Sequence, residues 1–223
     1  MRKISESKKI EVDISNFECI RLKDIREKVK TQVEHFCSEK NPGLGHYLHY
    51  HAWQEEVNNY RAFYLIMDGD EIVLYFSLQM GSTIKCHTKT IGGINYIKDG
   101  DIYKILDDKL EVDKCVPVVE IPQFCVNDRY RNKRKSWKII YKEHQYNVGQ
   151  YVFYKYIVPI VLESAKMIGF QYLILFCADN EQGDLERYYG TMGFKRMDDM
   201  ACLRDKYSEK LGQHRIIAKS LKI

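Results

Sequence analysis

The sequence has few of the features that mark membrane or secreted proteins. No apolar run approaches the roughly 20 residues that a helix needs to cross a bilayer. The first residues, Met1–Ser7, turn polar at once and lack the apolar core of a signal peptide. We therefore expect a cytoplasmic protein with no membrane partner.

Metal-binding and thiol chemistry also find little support. The seven cysteines include no C-x-x-C pair, and Cys125 and Cys177 lie in apolar, strand-like segments. Such a pattern is typical of reduced, buried thiols in a cytosolic protein. His46 and His49 would share a helix face, but no carboxylate or cysteine completes an evident ligand set beside them. We predict no metal site.

The overall composition is that of a globular protein. Hydrophobic residues make up 45% of the 223 positions and charged residues 30%, and a chain of this length can bury a substantial core. The net charge of +4 is mild. It permits an anionic ligand but does not demand nucleic acid.

The hydrophobic pattern changes period along the chain in the manner of a mixed α/β protein. It predicts a strand at 16–22, helices at 23–37 and 44–58, a hairpin at 61–67 and 71–80, a strand at 115–126, a long helix at 149–168 and strands at 171–178 and 214–221. Pro159 should kink or split the long helix, and Gly169 should end it. We predict one domain, 1–223, with a central twisted mixed sheet flanked by helices.

Residues 182–197 are the most informative stretch. An apolar strand leads into a short helix that carries Tyr188-Tyr189, and Met192-Gly193-Phe194 then opens a new strand. This succession resembles the end of the acyl-CoA site in the GNAT superfamily of N-acetyltransferases, and the order of elements is that of the same fold. The resemblance is specific over 115–197 and rests on element order alone over 16–80.

The resemblance implies a division of the chain and an activity. Residues 16–80 would form the acceptor-side part, 81–114 an insertion, 115–197 the acetyl-CoA-binding core and 198–223 a C-terminal strand region. The implied reaction is transfer of an acetyl group from acetyl-CoA, as cosubstrate, to a primary amine by direct attack in a ternary complex. Two alternatives are a non-catalytic acyl-CoA-binding or regulatory domain of this fold and a nucleic-acid-associated, tRNA-type acetyltransferase.

Two residues are candidate catalysts. In the family the second aromatic of the pair is commonly a tyrosine near the coenzyme A sulfur, which implies that Tyr189 is the general acid. A phenol, with a pKa near 10, keeps its proton at neutral pH and can donate it to a thiolate. Glu120 lies in an apolar segment similar to the family's fourth strand, where a glutamate acts as general base. The alternatives are that the tyrosine rings only pack the helix and that Glu120 faces solvent.

The cofactor contacts are predicted in two segments. Backbone N–H groups of Phe124, Cys125 and Val126 would hold the thioester, with Pro122 marking a bulge or edge just before them. The family's phosphate loop, Q/R-x-x-G-x-G/A, is interrupted here: the lead-in through Arg131 is followed by an insertion of about a dozen residues, with His144 where glutamine or arginine is usual. The helix then opens at Asn147, Val148, Gly149 and Gln150, a degraded loop that still offers a helix N-terminus to an anion. Asn180, just after the strand at 171–178, completes the predicted set.

A basic run spans residues 129–135. Arg129, Arg131, Lys133, Arg134 and Lys135 could contact coenzyme A phosphates, solvent or a nucleic-acid backbone. Because few aromatic residues interleave with them, we do not expect nucleic acid. We predict a small-molecule or peptide amine as the acceptor. We also consider a homodimer. Which amine is acetylated does not follow from any motif.

Overall fold

The computed structural model describes residues 14–39, 41–87, 111–131, 139–179, 182–196, 200–202 and 215–222. The chain divides into two compact units, one formed by Met1–Gln79 and Pro122–Ile160 and the other by Met80–Ile121 and Val161–Ile223. Helices and strands occur in both, and the mixed α/β class predicted from the sequence is confirmed.

The described elements follow one another in this order. After a 3₁₀ turn at Ile14–Asn16 come β1 (Phe17–Arg21), α1 (Leu22–Glu34), α2 (Pro42–Tyr50), α3 (Ala52–Val57), β2 (Ala62–Asp68), β3 (Glu71–His87), β4 (Glu111–Ile121), β5 (Phe124–Val126), β6 (Ile139–Tyr141) and β7 (His144–Tyr146). Next are α4 (Val148–Val152), a π-helical turn (Phe153–Ile157), α5 (Val158–Ile168), β8 (Tyr172–Asp179), α6 (Asp184–Gly190), β9 (Lys195–Arg196), β10 (Met200–Cys202) and β11 (Arg215–Lys222).

The first unit contains an antiparallel sheet in the order β1, β2, β3, β5. β1 pairs with β2, β2 with β3 through the turn at Gly69, and β5 with the other edge of β3. Strand residues such as Phe63, Leu65 and Tyr75 are fully buried, and they share a core cluster with residues of α1 and α2, among them Val29 and Leu48. Burial of these apolar side chains is the main force that holds the unit together.

Helix α2 begins earlier than predicted, and the helix expected at 44–58 is two helices. Asn41 is the N-cap of α2 and Pro42 its first residue. Proline fits there because its fixed φ suits the first turn and its missing N–H would have no helical partner. The interruption falls at His51, where the φ of −117° departs from helical geometry.

The second unit is built on β8. β4 lies parallel to β8, with Val118 opposite Tyr172, and β11 lies antiparallel to it over the whole length of both strands. β9 pairs with β11, and β10 pairs with the end of β3 that belongs to this unit. Val118, Leu173 and Ile174 are fully buried, so β4 and β8 form the centre of the unit's core.

The long helix is interrupted next to Pro159, as predicted. The Val158 N–H donates to the Phe153 carbonyl, five residues back, which is the π-helical pattern. A proline has no N–H and its ring crowds the preceding turn, so the regular ladder cannot continue through it. Gly169 then ends α5 with a φ of +53°, a conformation that glycine adopts without strain.

Several predicted features lie outside the described residues. These are most of the insertion at 81–114, most of the segment 198–212, Asn180 and the basic residues Lys133, Arg134 and Lys135. In the part of the chain that is described, no helix has the length and apolarity to cross a membrane.

Candidate functional site

Tyr189 lies in the last turn of α6, and the turn after that helix fixes its backbone. The Tyr189 carbonyl accepts hydrogen bonds from the N–H groups of Met192 at 3.0 Å and Phe194 at 3.2 Å. Gly193 makes this reversal possible with a φ of +88°. Met192 and Phe194 are buried, so the Met-Gly-Phe sequence anchors the C-terminal end of the helix to the core.

The Tyr189 ring is half-buried and held by two edge-to-face contacts. Its centroid lies 5.3 Å from that of Tyr188 and 6.1 Å from that of Phe194. Such contacts limit the positions open to the ring and direct where its hydroxyl can lie. The ring of Tyr189 therefore has the packing role that the sequence offers as an alternative. That role is compatible with a chemical role for the Tyr189 hydroxyl.

Glu120 lies in β4 between two buried residues. Val119 is 5% exposed and Ile121 4%, whereas Glu120 is half-buried and faces Ile174 of β8 in the strand register. Its carboxylate lies against Gly81 of β3. The side chain thus packs along the sheet of the second unit and is only partly open to water.

The strand predicted at 115–126 is split at Pro122 and Gln123, which separates β4 from β5. Gln123 is 5% exposed and is bound to Ser77 of β3, whose N–H donates to the Gln123 carbonyl at 3.0 Å. At the other end of β5, the Asn127 N–H donates to the Val73 carbonyl at 2.9 Å. Because antiparallel pairing alternates every two residues, the N–H groups of Phe124 and Val126 point away from β3.

Cys125 has a different environment from its two neighbours. By the same alternation its N–H points toward β3, and its thiol is fully buried, 3.2 Å from the Ser38 hydroxyl. Burial raises the pKa of the Cys125 thiol, although the Ser38 hydrogen bond lowers it in part. Such a thiol is a packing group, and the N–H groups of β5 that point away from β3 are those of Phe124 and Val126.

The two described arginines of the basic run differ in exposure. The Arg131 side chain is 21% exposed and turns inward, with Nη2 3.8 Å from Cys125 Sγ and Nη1 3.7 Å from Asp128 Oδ1. Arg129 is 71% exposed and forms an ion pair with Glu71. Arg131 is therefore engaged within its own unit, whereas Arg129 is the more accessible to a ligand.

Helix α4 opens where the sequence predicted, and its first side chains cap each other. Asn147 Oδ1 accepts the Gln150 N–H at 2.9 Å, and Gln150 Oε1 accepts the Asn147 N–H at 3.1 Å. This is a capping box, which satisfies two donors of the first turn. The N–H groups of Val148 and Gly149 belong to the same turn, and the helical chain continues to Ile168, so its dipole favours an anion here.

Part of the expected loop insertion is a small hairpin. β6 and β7 pair with Ile139 opposite Tyr146, and Lys142 and Glu143 form the turn with φ values of 47° and 67°. His144 lies on β7 and is exposed. The Tyr141 ring contacts Tyr151 of α4 at 5.4 Å, so the hairpin packs against the helix whose first turn it precedes.

A polar network that sequence reasoning missed joins α2, α3 and β3 through Arg61, the residue before β2. Arg61, whose side chain is 10% exposed, donates to Gln79 Oε1 at 2.7 Å, pairs with Glu55 at 2.9 Å and contacts the Tyr47 hydroxyl. Outside this network, His46 and Tyr50 of α2 are exposed, and their rings lie 4.4 Å apart. No local pattern in the sequence marks the network, because its members lie in three different elements and in the residue before β2.

A cleft of about 410 Å³ lies near the tip of the β2–β3 hairpin. Its charged lining consists of Asp68, Asp70, Glu71 and Arg129. Because three of these four side chains are acidic, the interior of the cleft does not suit phosphates. Elsewhere too, the described residues contain no group of three or more His, Cys, Asp or Glu arranged to hold a metal ion.

Comparison with known proteins gives the fold. No family model matches the sequence, and no curated protein matches it either. Solved structures do: a tyrosine-to-phenylalanine mutant of the AtaT toxin matches 98% of this chain and 95% of its own at a TM-score of 0.60 and 11% identity. AtaTR bound with AcCoA matches over 93% of this chain and 94% of its own, with a TM-score of 0.55 and 11% identity. AtaT complexed with acetyl-methionyl-tRNAfMet matches over 92% of this chain and 94% of its own, with a TM-score of 0.54 and 13% identity.

This chain has the GNAT fold. The matched toxins are GNAT-fold acetyltransferases, and the matches cover nearly all of each chain, which confirms the resemblance at the level of the fold. At 11–13% identity it is the arrangement of elements that is shared.

The prediction about partners is wrong. The sequence predicts a small-molecule or peptide amine and no nucleic acid, whereas AtaT of the same fold is complexed with acetyl-methionyl-tRNAfMet, and an AtaT–AtaR complex is bound to DNA. The error has a physical origin. Net charge averages over the whole chain, whereas binding to phosphates depends on where cations cluster, so a mild net charge does not exclude nucleic acid.

Proposed function

We propose that the protein is an acetyl-CoA-dependent N-acetyltransferase whose acceptor is the α-amine of an aminoacyl-tRNA. The observation that carries the proposal is the match of fold over more than nine-tenths of the chain to a toxin complexed with acetyl-methionyl-tRNAfMet. The bound AcCoA of a second neighbour supports the donor.

The acceptor chemistry favours such an amine. An α-amino group has a pKa of about 7.7–8.0, against about 10.4 for a lysine side chain, so a far larger fraction is neutral near pH 7. The neutral nitrogen attacks the thioester carbon, the C–S bond breaks, and the products are the acetylated amine and coenzyme A. The enzyme must then only receive the proton that the nitrogen loses and supply one to the sulfur.

We assign these two proton transfers to Glu120 and Tyr189. The Glu120 carboxylate receives the proton of the acylated nitrogen. The Tyr189 hydroxyl donates its proton to the departing thiolate, and water then reprotonates the tyrosine. In the first unit, the N–H groups of Phe124 and Val126 point away from β3, and they are the donors that the family resemblance implies for the thioester oxyanion. No covalent enzyme intermediate is needed.

The phosphates of the cofactor would bind at the start of α4. Because Asn147 and Gln150 cap each other, the donors that we assign are the N–H groups of Val148 and Gly149, aided by the helix dipole.

The tRNA would be held by cations and exposed rings. Arg129 and the neighbouring positive charges of the sequence suit the phosphate backbone. The exposed rings of His46 and Tyr50 on α2 suit stacking with unpaired bases, which is how single-stranded RNA ends are commonly recognised.

Acetyl-CoA is expected to raise the melting temperature. A ligand that binds only the folded protein stabilises it by about 2.7 kcal/mol at a hundredfold excess over Kd, which corresponds to roughly 5–10 °C for a chain of this size. Thermal scans with acetyl-CoA, coenzyme A and ATP measure the effect, with ATP as the control for nonspecific phosphate binding. An unchanged melting temperature at saturating acetyl-CoA would contradict the proposed donor.

A further inference from the structure

We infer that Gly81 is a positioning residue: its bare backbone lets the Glu120 carboxylate lie across strand β3, and a side chain there would displace it. The contact lies wholly within the second unit. What the carboxylate does once positioned rests on the proposed function.

Any side chain at position 81 would collide with Glu120. A Cβ built on Gly81 would lie 2.3 Å from Glu120 Oε1, 2.8 Å from Cδ and 3.0 Å from Cγ. Favourable carbon contacts lie at about 3.5–4.0 Å. The clash involves Cγ and Cδ as well as the terminal oxygen, so a rotation of the carboxylate alone does not relieve it.

Backbone conformation does not explain the glycine. The described glycines with positive φ are Gly69, Gly169, Gly183 and Gly193, and Gly81 is not among them. Gly81 lies within the extended strand β3, where glycine is unfavourable and commonly marks the close approach of another group. Here that group is the Glu120 side chain.

Glu120 can leave Gly81 only along its own face of the sheet. Val119 and Ile121 point to the opposite face, whereas Ile174 of β8, the register partner of Glu120, lies on the same face and is fully buried. Glu120 itself is half-buried, so its side chain has a route to water when a group at position 81 displaces it. If Glu120 is the proton acceptor, a methyl group at position 81 removes it from its working position without touching its chemistry.

A double-mutant cycle tests the contact independently of activity. Gly81→Ala is expected to lower the melting temperature by roughly 2–4 °C, the low end of overpacking, because the atoms met belong to the end of the flexible Glu120 side chain. The loss should be much smaller in a Glu120→Ala background, since truncation removes Cγ and Cδ. Gly43→Ala is the control, because a Cβ at Gly43 meets nothing within 4 Å. An equal loss in both backgrounds would overturn the inference.

Kinetics test the positioning. Gly81→Ala is expected to lower kcat by about 10- to 100-fold and to move the acidic limb of the pH–rate profile, with little change in KM for acetyl-CoA and no further loss in the Glu120→Ala background. A profile equal to that of wild type would overturn the inference. If wild type transfers no acetyl group at any pH, the proposed function fails, while the melting-temperature cycle still decides the Gly81–Glu120 contact.

Discussion

Tyr189→Phe is expected to lower kcat by about 10²–10⁴-fold, the range that a general acid contributes, and to leave the Kd of acetyl-CoA close to its wild-type value. The change removes one hydroxyl and keeps the ring. The edge-to-face contacts with Tyr188 and Phe194 can persist, so the fold has no reason to change. The fall in kcat would come from the step in which the thiolate leaves.

Single-turnover acetyl transfer measures this effect, because it separates chemistry from product release. Tyr188→Phe is the matched control: it removes the same hydroxyl one residue earlier on α6 and should leave kcat nearly unchanged. Equal rates for Tyr189→Phe and wild type would remove Tyr189 from the mechanism and leave the ring pair with a packing role.

Glu56→Gln is expected to destabilise the first unit by about 3 kcal/mol, toward the low end of what breaking a buried ion pair costs. Glu56 is 1% exposed, its Oε1 accepts from Arg21 Nε at 2.7 Å and its Oε2 accepts the Phe63 N–H. A glutamine keeps one acceptor oxygen but turns an NH₂ group toward the other donor. The Arg21 side chain is 31% exposed, so water can hydrogen-bond its guanidinium and offset part of the lost stability.

Urea unfolding monitored by tryptophan fluorescence checks this, since Trp53 packs against the core of that unit. Glu163→Gln is the control, because Glu163 pairs with Lys166 on α5 with both side chains more than 60% exposed, and exposed pairs contribute about 0–1 kcal/mol. If the free energy of unfolding falls equally little in both variants, the Arg21–Glu56–Phe63 contacts do not stabilise the unit as described.

Local signals in the sequence predicted the parts of the fold that depend on neighbouring residues. Asn147 marks the start of α4 because its side chain caps the helix, and Gly169 marks the end of α5 because it adopts a positive φ. The Tyr-Tyr and Met-Gly-Phe pattern gave the helix and turn around Tyr189. The split at Pro122 and the interruption beside Pro159 likewise follow from a missing N–H.

Features that depend on distant residues could not be predicted. The β6–β7 turn uses Lys142 and Glu143 at positive φ, where asparagine and glycine are the usual signal. The division between α2 and α3 falls at His51, where neither proline nor glycine marks it. The approach of Glu120 to Gly81 joins two strands far apart in sequence, and neither residue alone indicates it. The inward turn of Arg131 similarly depends on where Cys125 and Asp128 lie.

The most direct test of the account is transfer of a radiolabelled acetyl group from acetyl-CoA to a panel of purified aminoacyl-tRNAs. Each is compared with the same tRNA after deacylation and with the free amino acid. We expect label on the α-amine of one or more aminoacyl-tRNAs and none on deacylated tRNA, and we expect the label to be lost with Tyr189→Phe. Absence of label from every aminoacyl-tRNA, with an enzyme that acetyl-CoA stabilises, would contradict the acceptor proposed for this GNAT fold.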